Sequence, residues 1–253
     1  MPITFDGVGS HWPDSETLRQ EWAAKDEKII LSFSRGKDSI SAWLAMLNSG
    51  IKPENIVPVY YYRIPGLKFT ADSLDYFEQV FQQRIIRMPH PSLFRMWNEM
   101  IFQPPTRSGI IEAAAMPTPS YQDIEQLLRE DLKLPDSTYV ATGVRAADSI
   151  QRRTFIKKSG PITHAKKRVA IVWDWTKGEC YDYIEKCGLE LPADYELFAG
   201  KQRRSGRTFD GLAAQFLGPI RDNLPEDYAT ILEWFPLADV DLFRHEQLAN
   251  ESF

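Results

Sequence analysis

The sequence predicts an α/β protein: a doubly wound, mostly parallel, five-stranded sheet with a helical C-terminal extension. Three observations predict it. Short apolar runs alternate with amphipathic stretches of helical period through the first two-thirds of the chain. The connections between these runs are long enough for the crossover helices that parallel pairing requires. Glycine-bearing turns, at Gly36 and Gly143, follow two of the apolar runs. That is the edge of an open α/β sheet where ligands bind.

Each element has a local reason. Residues 1–14 cluster Gly, Pro and Asp and read as an arm. Asp14 or Ser15 is placed to cap a short helix, SETLRQEWAAK, that ends near Lys25. KIILSFS is a buried-strand pattern. Ser39 to Leu47 reads as a helix with Ile40, Trp43, Leu44 and Leu47 on one face, ended by NSG at 48–50. IVPVYYY (56–62) is a second strand, FTADSLDYFEQVFQQR a second helix and RIIRM (84–88) a third strand. A loop-rich middle runs from PHPSLFRMW to PTPS. Then come a helix (YQDIEQLLREDL), two strands (STYVATG and VAIVWDW) and a helix (KGECYDYIEKCGL). The last sixty residues are rich in Pro, Arg and aromatics and read as helical. The expected organisation is an arm with a short helix over 1–24, an α/β domain over 25–192 and a helical cap over 193–253.

Composition narrows the function. The 253 residues are 43% hydrophobic and 26% charged, as in an ordinary globular protein. A net charge of −5 argues against wholesale coating of nucleic acid and leaves room for a local basic patch. The two cysteines, Cys180 and Cys187, form no C-x-x-C pair, so neither zinc nor an iron–sulfur cluster is expected. No basic-then-apolar leader and no run of about 18 apolar residues appears, so a cytoplasmic location without a membrane span is expected.

The stretch SFSRGKDS, from Ser32 to Ser39, carries the most chemistry. It joins a strand to a helix, whose N-terminus offers open amides and partial positive charge to an anion. Gly36 permits close backbone approach, Ser32, Ser34 and Ser39 supply hydroxyls, and Lys37 supplies a mobile cation. Asp38 beside a phosphate suits a loop cap or a ligand for Mg²⁺. The string is not a Walker A loop, because Leu31 stands where that motif needs glycine and Asp38 follows the lysine. The bland alternative is a capped strand–turn–helix.

SFSRGKDS resembles the S-G-G-K-D-S loop of the PP-loop, or N-type, ATP pyrophosphatases, and more narrowly the phosphoadenosine-phosphosulfate reductase-like branch. FTADSLDYFEQV, TGVRAADSIQR (142–152) and VAIVWDWTKGECYDYIEKCGLELP (169–192) resemble further elements of that branch in the same order. The resemblance covers about residues 28–200. It implies a loop of Ser32, Ser34, Arg35, Gly36, Lys37, Asp38 and Ser39 around the phosphates of an adenine nucleotide such as ATP. It implies anion contacts from Arg145 and Arg152, flanking Ser149 and following Gly143. Guanidinium groups suit that role through bidentate, always-charged contacts; the alternative is solvated arginines with ion pairs to Asp148. ATP-using relatives cleave the bond between the α and β phosphates and adenylylate an acceptor. On that basis Lys37, Asp38, Arg145 and Arg152 are the expected catalytic residues.

The chain also departs from the pattern. Arg35 stands at the loop's first glycine, where it either points outward or adds a cation, and it conflicts with a glycine-like backbone path. The Asp-Thr-Gly after the second strand is missing; YYYRIPGLKF stands there, with Tyr61, Tyr62 and Arg63 as candidates to border a base. Sulfonucleotide reductases carry a catalytic cysteine near the C-terminus, and no cysteine follows Cys187. Sulfate reduction is therefore not expected, and the two cysteines read as small buried hydrophobes.

Three basic segments remain: QRRTFIKKSG, HAKKR and KQRRSGRTFDG. Arg153, Lys157, Lys158, Lys166, Lys167, Arg203, Arg204 and Arg207 are candidates for a polyanion such as tRNA or DNA, with Phe155, His164 and Phe209 placed to stack on bases. Solvated loops are the alternative. Gly206 and Gly211 suit a loop that folds over a ligand. Two functions stay open: an ATP-dependent enzyme acting in nucleic-acid modification or sulfur transfer with an outside sulfur donor, and a non-catalytic nucleotide sensor working with a DNA-binding partner. Oligomeric state stays open as well.

Overall fold

The computed structural model describes residues 12–200 and 204–250, with side chains to 248. The arm over 1–11, Lys201 and Arg203 lie outside the described residues. In chain order the elements are α1 (Ser15–Lys25), β1 (Ile29–Ser32), α2 (Lys37–Asn48), β2 (Ile56–Tyr62), α3 (Lys68–Phe81), β3 (Ile86–Pro89), α4 (Pro91–Asn98), α5 (Ser108–Ala114) and α6 (Tyr121–Asp131). They continue with β4 (Val140–Thr142), α7 (Ile150–Ser159), β5 (Ile162–Thr163), β6 (Arg168–Ala170), α8 (Lys177–Lys186), α9 (Asp194–Leu197), α10 (Ala214–Asn223), α11 (Pro225–Trp234) and α12 (Ala238–Asn250).

The six strands form one sheet in the order β3-β2-β1-β4-β6-β5. β1 runs parallel to β2 with Ile29 opposite Ile56, and parallel to β4 with Ile30 opposite Val140. β4 runs parallel to β6, with Val140 opposite Arg168. The sixth strand, beyond the five expected, is the antiparallel edge β5, where Ile162 faces Val169. Two residues are too few to leave an alternating pattern in sequence. Of VAIVWDW, expected as a strand, only Val169 and Ala170 belong to β6, and 171–174 form turns. The middle expected as loop holds α4 and α5 instead. Both are short, and Pro91 occupies the first turn of α4, where a missing N–H costs nothing.

The chain divides into two compact units, each built from separated segments. The first comprises Met1–Tyr60, Phe81–Ile86 and Glu125–Leu191. Ile29, Ile30 and Leu31 of β1 are fully buried. α2 is buried from Ser39 to Met46, so it is a central helix rather than a surface one with a single apolar stripe. Its Trp43 stacks on Phe81 at 3.9 Å between ring centres and meets Phe33 edge-on at 5.1 Å. Such rings contribute roughly 1.5–3 kcal/mol each through burial. Ser41, also buried, donates its hydroxyl to the carbonyl of Cys180 at 3.2 Å and so packs α2 on α8 without an orphaned polar group. Asp14 caps α1 by accepting from the Thr17 amide at 2.7 Å, a contact of about 1 kcal/mol.

The second unit comprises Tyr61–Val80, Arg87–Ile124 and Pro192–Phe253. Leu67, Phe69, Phe209, Phe216, Ile231 and Phe235 are among its core residues. Phe198 and Phe216 meet edge-on at 4.9 Å. The Asp227 carboxylate, on α11, accepts from the backbone amides of Lys68 and Phe69 and thereby caps α3. Gly206 is required here by close approach, since a Cβ would lie 2.0 Å from the Tyr195 carbonyl oxygen.

Candidate functional site

The loop between β1 and α2 is ordered by its own serines. The Ser39 hydroxyl donates to the Gly36 carbonyl at 2.9 Å and accepts from the Ser34 amide at 3.1 Å. The Ser34 and Ser39 hydroxyls lie 3.1 Å apart, and the Gly36 amide donates to Ser34 Oγ at 3.4 Å. Gly36 is the cap residue of α2 and supplies no side-chain cap. Ser32 closes β1 half-buried, and Ser34 is exposed.

Arg35 takes the glycine-like backbone path with which its side chain was expected to conflict. Its φ is +61°, so it takes the left-handed path open to glycine. Its side chain does not point outward: it is fully buried, with the guanidinium 5.4 Å from the centre of the Tyr60 ring. A cation–π contact of this kind partly offsets the backbone cost of about 1–2 kcal/mol.

The turn after β4 packs against this loop. A Cβ at Gly143 would lie 2.6 Å from both the carbonyl carbon and oxygen of Asp38, so only glycine lets the two backbones approach. That approach delivers Arg145. Its side chain is 3% exposed, with Nε 2.8 Å from Asp38 Oδ1 and Nη2 2.5 Å from Asp148 Oδ1. The Nε–H is not aimed at Asp38, so that contact is Coulombic rather than a directed hydrogen bond. Nη1 is buried without a hydrogen-bond partner among the described residues. On the other side of Asp38, Lys37 Nζ lies 2.8 Å from Oδ2. Beyond Asp148, Arg152 Nη1 lies 2.6 Å from Oδ2.

The result is a ladder of alternating charge: Lys37, Asp38, Arg145, Asp148, Arg152. It carries one net positive charge and abuts a helix N-terminus, so it attracts anions. An unpaired N–H on a buried guanidinium is costly and has a natural partner in a phosphate oxygen.

The structure thus brings together Ser34, Arg35, Gly36, Lys37, Asp38, Ser39, Gly143 and Arg145. Ser149 caps α7, accepting from the Arg152 amide at 3.1 Å, and Arg152 is half-exposed and held by Asp148. Tyr62 belongs to the second unit, where it packs half-buried against the core and burial raises its hydroxyl pKa. Arg204 and Arg207 also belong to the second unit. Phe209, expected to stack on bases, is instead buried and edge-on to Phe69 at 5.9 Å. His164 is exposed, with Nδ1 2.6 Å from the Tyr139 hydroxyl. Cys180 is fully buried, and its thiol is pushed up to about 12 by burial, with Asp38 adding to the shift. A thiol so suppressed is no nucleophile.

Sequence reasoning missed one polar cluster, in the second unit. The Ser92 amide donates to His90 Nδ1 at 3.0 Å, and Ser92 Oγ lies 2.6 Å from the same nitrogen. Nδ1 is therefore an acceptor, which places the ring proton on Nε2, against the Tyr121 hydroxyl. Arg63 donates to Ser92 Oγ at 2.9 Å and pairs with Asp210 at 2.7 Å. Burial first, then Arg63 and Arg95, lower the His90 pKa to about 4. The only sequence signal was Pro-His-Pro at the end of a strand. A cavity of about 460 Å³ in the first unit, lined by Arg19, Asp174, Trp175, Glu179, Asp182 and Tyr183 among others, includes none of the loop residues.

No family model matches the chain, and no curated protein matches it. Solved structures similar in fold include the following two. One is the phosphoadenylyl-sulfate reductase of Candida auris in a phosphate complex, with a TM-score of 0.44 and 11% identity over 73% of this chain and 85% of that one. The other is the U34-tRNA thiolase NcsA of Methanococcus maripaludis with its [4Fe-4S] cluster, with a TM-score of 0.42 and 14% identity over 89% of this chain and 79% of that one. At these identities the likeness is one of fold.

The cofactor expectation needs correction. Asp38 is ion-paired with Lys37 through Oδ2 and with Arg145 through Oδ1, and no three His, Cys, Asp or Glu side chains are placed to hold a metal ion among the described residues. Asp38 is therefore not assigned as a ligand of Mg²⁺. The companion expectation of no iron–sulfur cluster is not carried forward, because the NcsA structure contains one. Among the described residues no helix is long and apolar enough to cross a membrane.

Proposed function

We propose that the chain is a PP-loop enzyme that binds ATP at the Ser32–Ser39 loop and transfers its adenylyl group to an acceptor. The observation that carries this reading is the buried Arg145 guanidinium, set against the first turn of α2 with Nη1 lacking a partner. A triphosphate would take over Lys37 and Arg145 from Asp38, its oxygens replacing a carboxylate already held at 2.8 Å on each side.

The chemistry asked of the protein is electrostatic. An acceptor oxygen or nitrogen attacks the α phosphorus. The bond from that phosphorus to the bridging oxygen breaks, and pyrophosphate leaves with the electron pair. The acceptor's proton passes to solvent. Lys37, Arg145 and the α2 N-terminus stabilise charge building on the phosphate oxygens, and Asp148 keeps Arg145 in place.

The test is pyrophosphate release from ATP by the wild type, by Arg145→Gln and by Lys37→Gln, alongside ATP binding by calorimetry. Release that both substitutions reduce supports the enzyme. Binding without release under every condition would favour the nucleotide-sensing alternative. No binding at all would refute both.

A further inference from the structure

From Ser149 to Trp173 the chain carries Arg152, Arg153, Lys157, Lys158, Lys166, Lys167 and Arg168 and not one Asp or Glu, in a protein whose net charge is −5. The structure puts most of this charge on α7 and on the hairpin turn that follows it. α7 is almost entirely exposed: Ile156 is its one buried residue. Arg152 is held by Asp148 and Arg168 by Glu125. Arg153, Lys158, Lys166 and Lys167 form no ion pair among the described residues. Phe155 is 51% exposed and shares its helix face with Arg152 and Lys158, three positions to either side, and Ile150 is 80% exposed.

A helix that leaves an aromatic ring in water beside several cations needs an explanation. Ile150 and Phe155 are five positions apart, about 140° around a helix, so they make no continuous apolar face of the kind that inserts into a lipid surface. A ring flanked by lysine and arginine instead matches what a strand with unpaired bases offers: a π-face to stack on and phosphates to either side. A duplex would engage the cations and leave Phe155 without a base.

We propose that α7 and the β5–β6 turn form a docking face for single-stranded nucleic acid, with Phe155 as the stacking platform and Lys158, Lys166 and Lys167 as phosphate contacts. The face leads to the phosphate site. Asp148 touches Arg152 of α7 at 2.6 Å and Arg145 of the loop at 2.5 Å, so a strand lying along α7 ends beside the ladder of charges. Its role as the acceptor of the adenylyl group rests on the function proposed above; its binding does not.

The experiment is fluorescence anisotropy with a labelled 20-nucleotide single-stranded RNA, the same sequence as DNA, and a duplex, between about 50 and 300 mM salt. Wild-type protein binds the single strands with affinity that falls steeply with salt, by about 0.7 log units per log unit of salt for each phosphate contacted. Lys158→Glu/Lys166→Glu weakens binding at least tenfold and flattens the slope. Phe155→Ala weakens single-strand binding about tenfold and leaves duplex binding unchanged. All three side chains are exposed, and the thermal midpoint and ATP affinity of each variant, measured alongside, stay at the wild-type value. Unchanged affinity in both variants, or wild-type protein that binds anionic vesicles and no nucleic acid, overturns the proposal. Strand binding that depends on these residues in a protein that binds no ATP keeps the docking face and removes the acceptor role.

Discussion

Arg145 holds Asp38 across the site, with Nε 2.8 Å from Oδ1, while Lys37 holds the same carboxylate from the other side. The carboxylate therefore occupies the two cations that a phosphate would use. Removing it has opposite effects on binding and on turnover. Asp38→Asn lifts the repulsion between carboxylate and phosphate, and the dissociation constant for ATP falls about three- to tenfold, as expected of a close pair near a protein surface. Pyrophosphate release from the bound state slows by about the same three- to tenfold, because the tighter hold is on ground-state ATP and not on the transition state. Calorimetry and a pyrophosphate assay on the one variant check both. Equal losses in binding and turnover would contradict the picture of Asp38 as a competitor.

Gly143 fixes the distance between the two loops of the site. A Cβ there would lie 2.6 Å from backbone atoms of Asp38, and backbone cannot swing aside as a flexible side chain can. Gly143→Ala should lower stability by roughly 1–3 kcal/mol, the usual cost of overpacking, seen as a lower urea midpoint. ATP affinity falls with it, since Arg145 moves away from Lys37. Gly109→Ala, where the added atom meets nothing within 4 Å, is the control.

These two positions show what the sequence could and could not reveal. The strand–loop–helix at Ser32–Ser39 was legible because its pattern is local: an apolar run, a serine-rich turn and a helical period. The Asp14 cap of α1 was legible for the same reason. The pairing of Asp38 with Arg145 was not, because it joins residues more than a hundred positions apart through a glycine whose role only the fold reveals. Phe209 was misread because its neighbours in sequence are arginines, while its neighbours in space are Phe69, Phe198 and Phe216. His90 and Tyr121 meet across thirty-one residues. β5 escaped because a two-residue strand has no period.

Arg35 tests the cost of the departure from glycine. At φ +61° an alanine keeps the backbone strain and loses the contact with Tyr60, whereas a glycine loses the contact and the strain together. Arg35→Gly should therefore be more stable than Arg35→Ala by about 1 kcal/mol, read from denaturant midpoints. Equal stabilities would mean that the loop relaxes out of the left-handed conformation when the arginine is removed.

The two thiols should differ sharply. Cys180 is fully buried with its pKa pushed up to about 12, and Cys187 is half-buried at the end of α8. A thiol reagent at pH 8 should label Cys187 in the native protein and Cys180 only after denaturation. Labelling of Cys180 at a comparable rate, located by mass spectrometry, would show that α8 opens away from α2 in solution.

His90 gives the second unit a pH-dependent stability whose sign follows from its surroundings. Its pKa is lowered from 6.5 to about 4, chiefly by burial and then by Arg63 and Arg95. Between those values the unfolded chain takes up a proton on this ring and the folded chain does not. Stability is therefore fully present above about 6.5, is lost as pH falls from there to about 4, and levels off below. Protonation would also turn Nδ1 into a donor facing the Ser92 amide, which itself donates at 3.0 Å, so the α4 cap breaks as the ring charges. His90→Asn keeps a capping oxygen for the Ser92 amide and has no proton to take up. Urea midpoints of the wild type should fall more steeply than those of the variant between pH 6.5 and 4.5. Asp14 and Asp123, whose pKa values are lowered by their own backbone contacts, titrate below that window and affect both proteins alike. Parallel pH dependence in the two proteins would mean that His90 is solvated and charges freely in the native state.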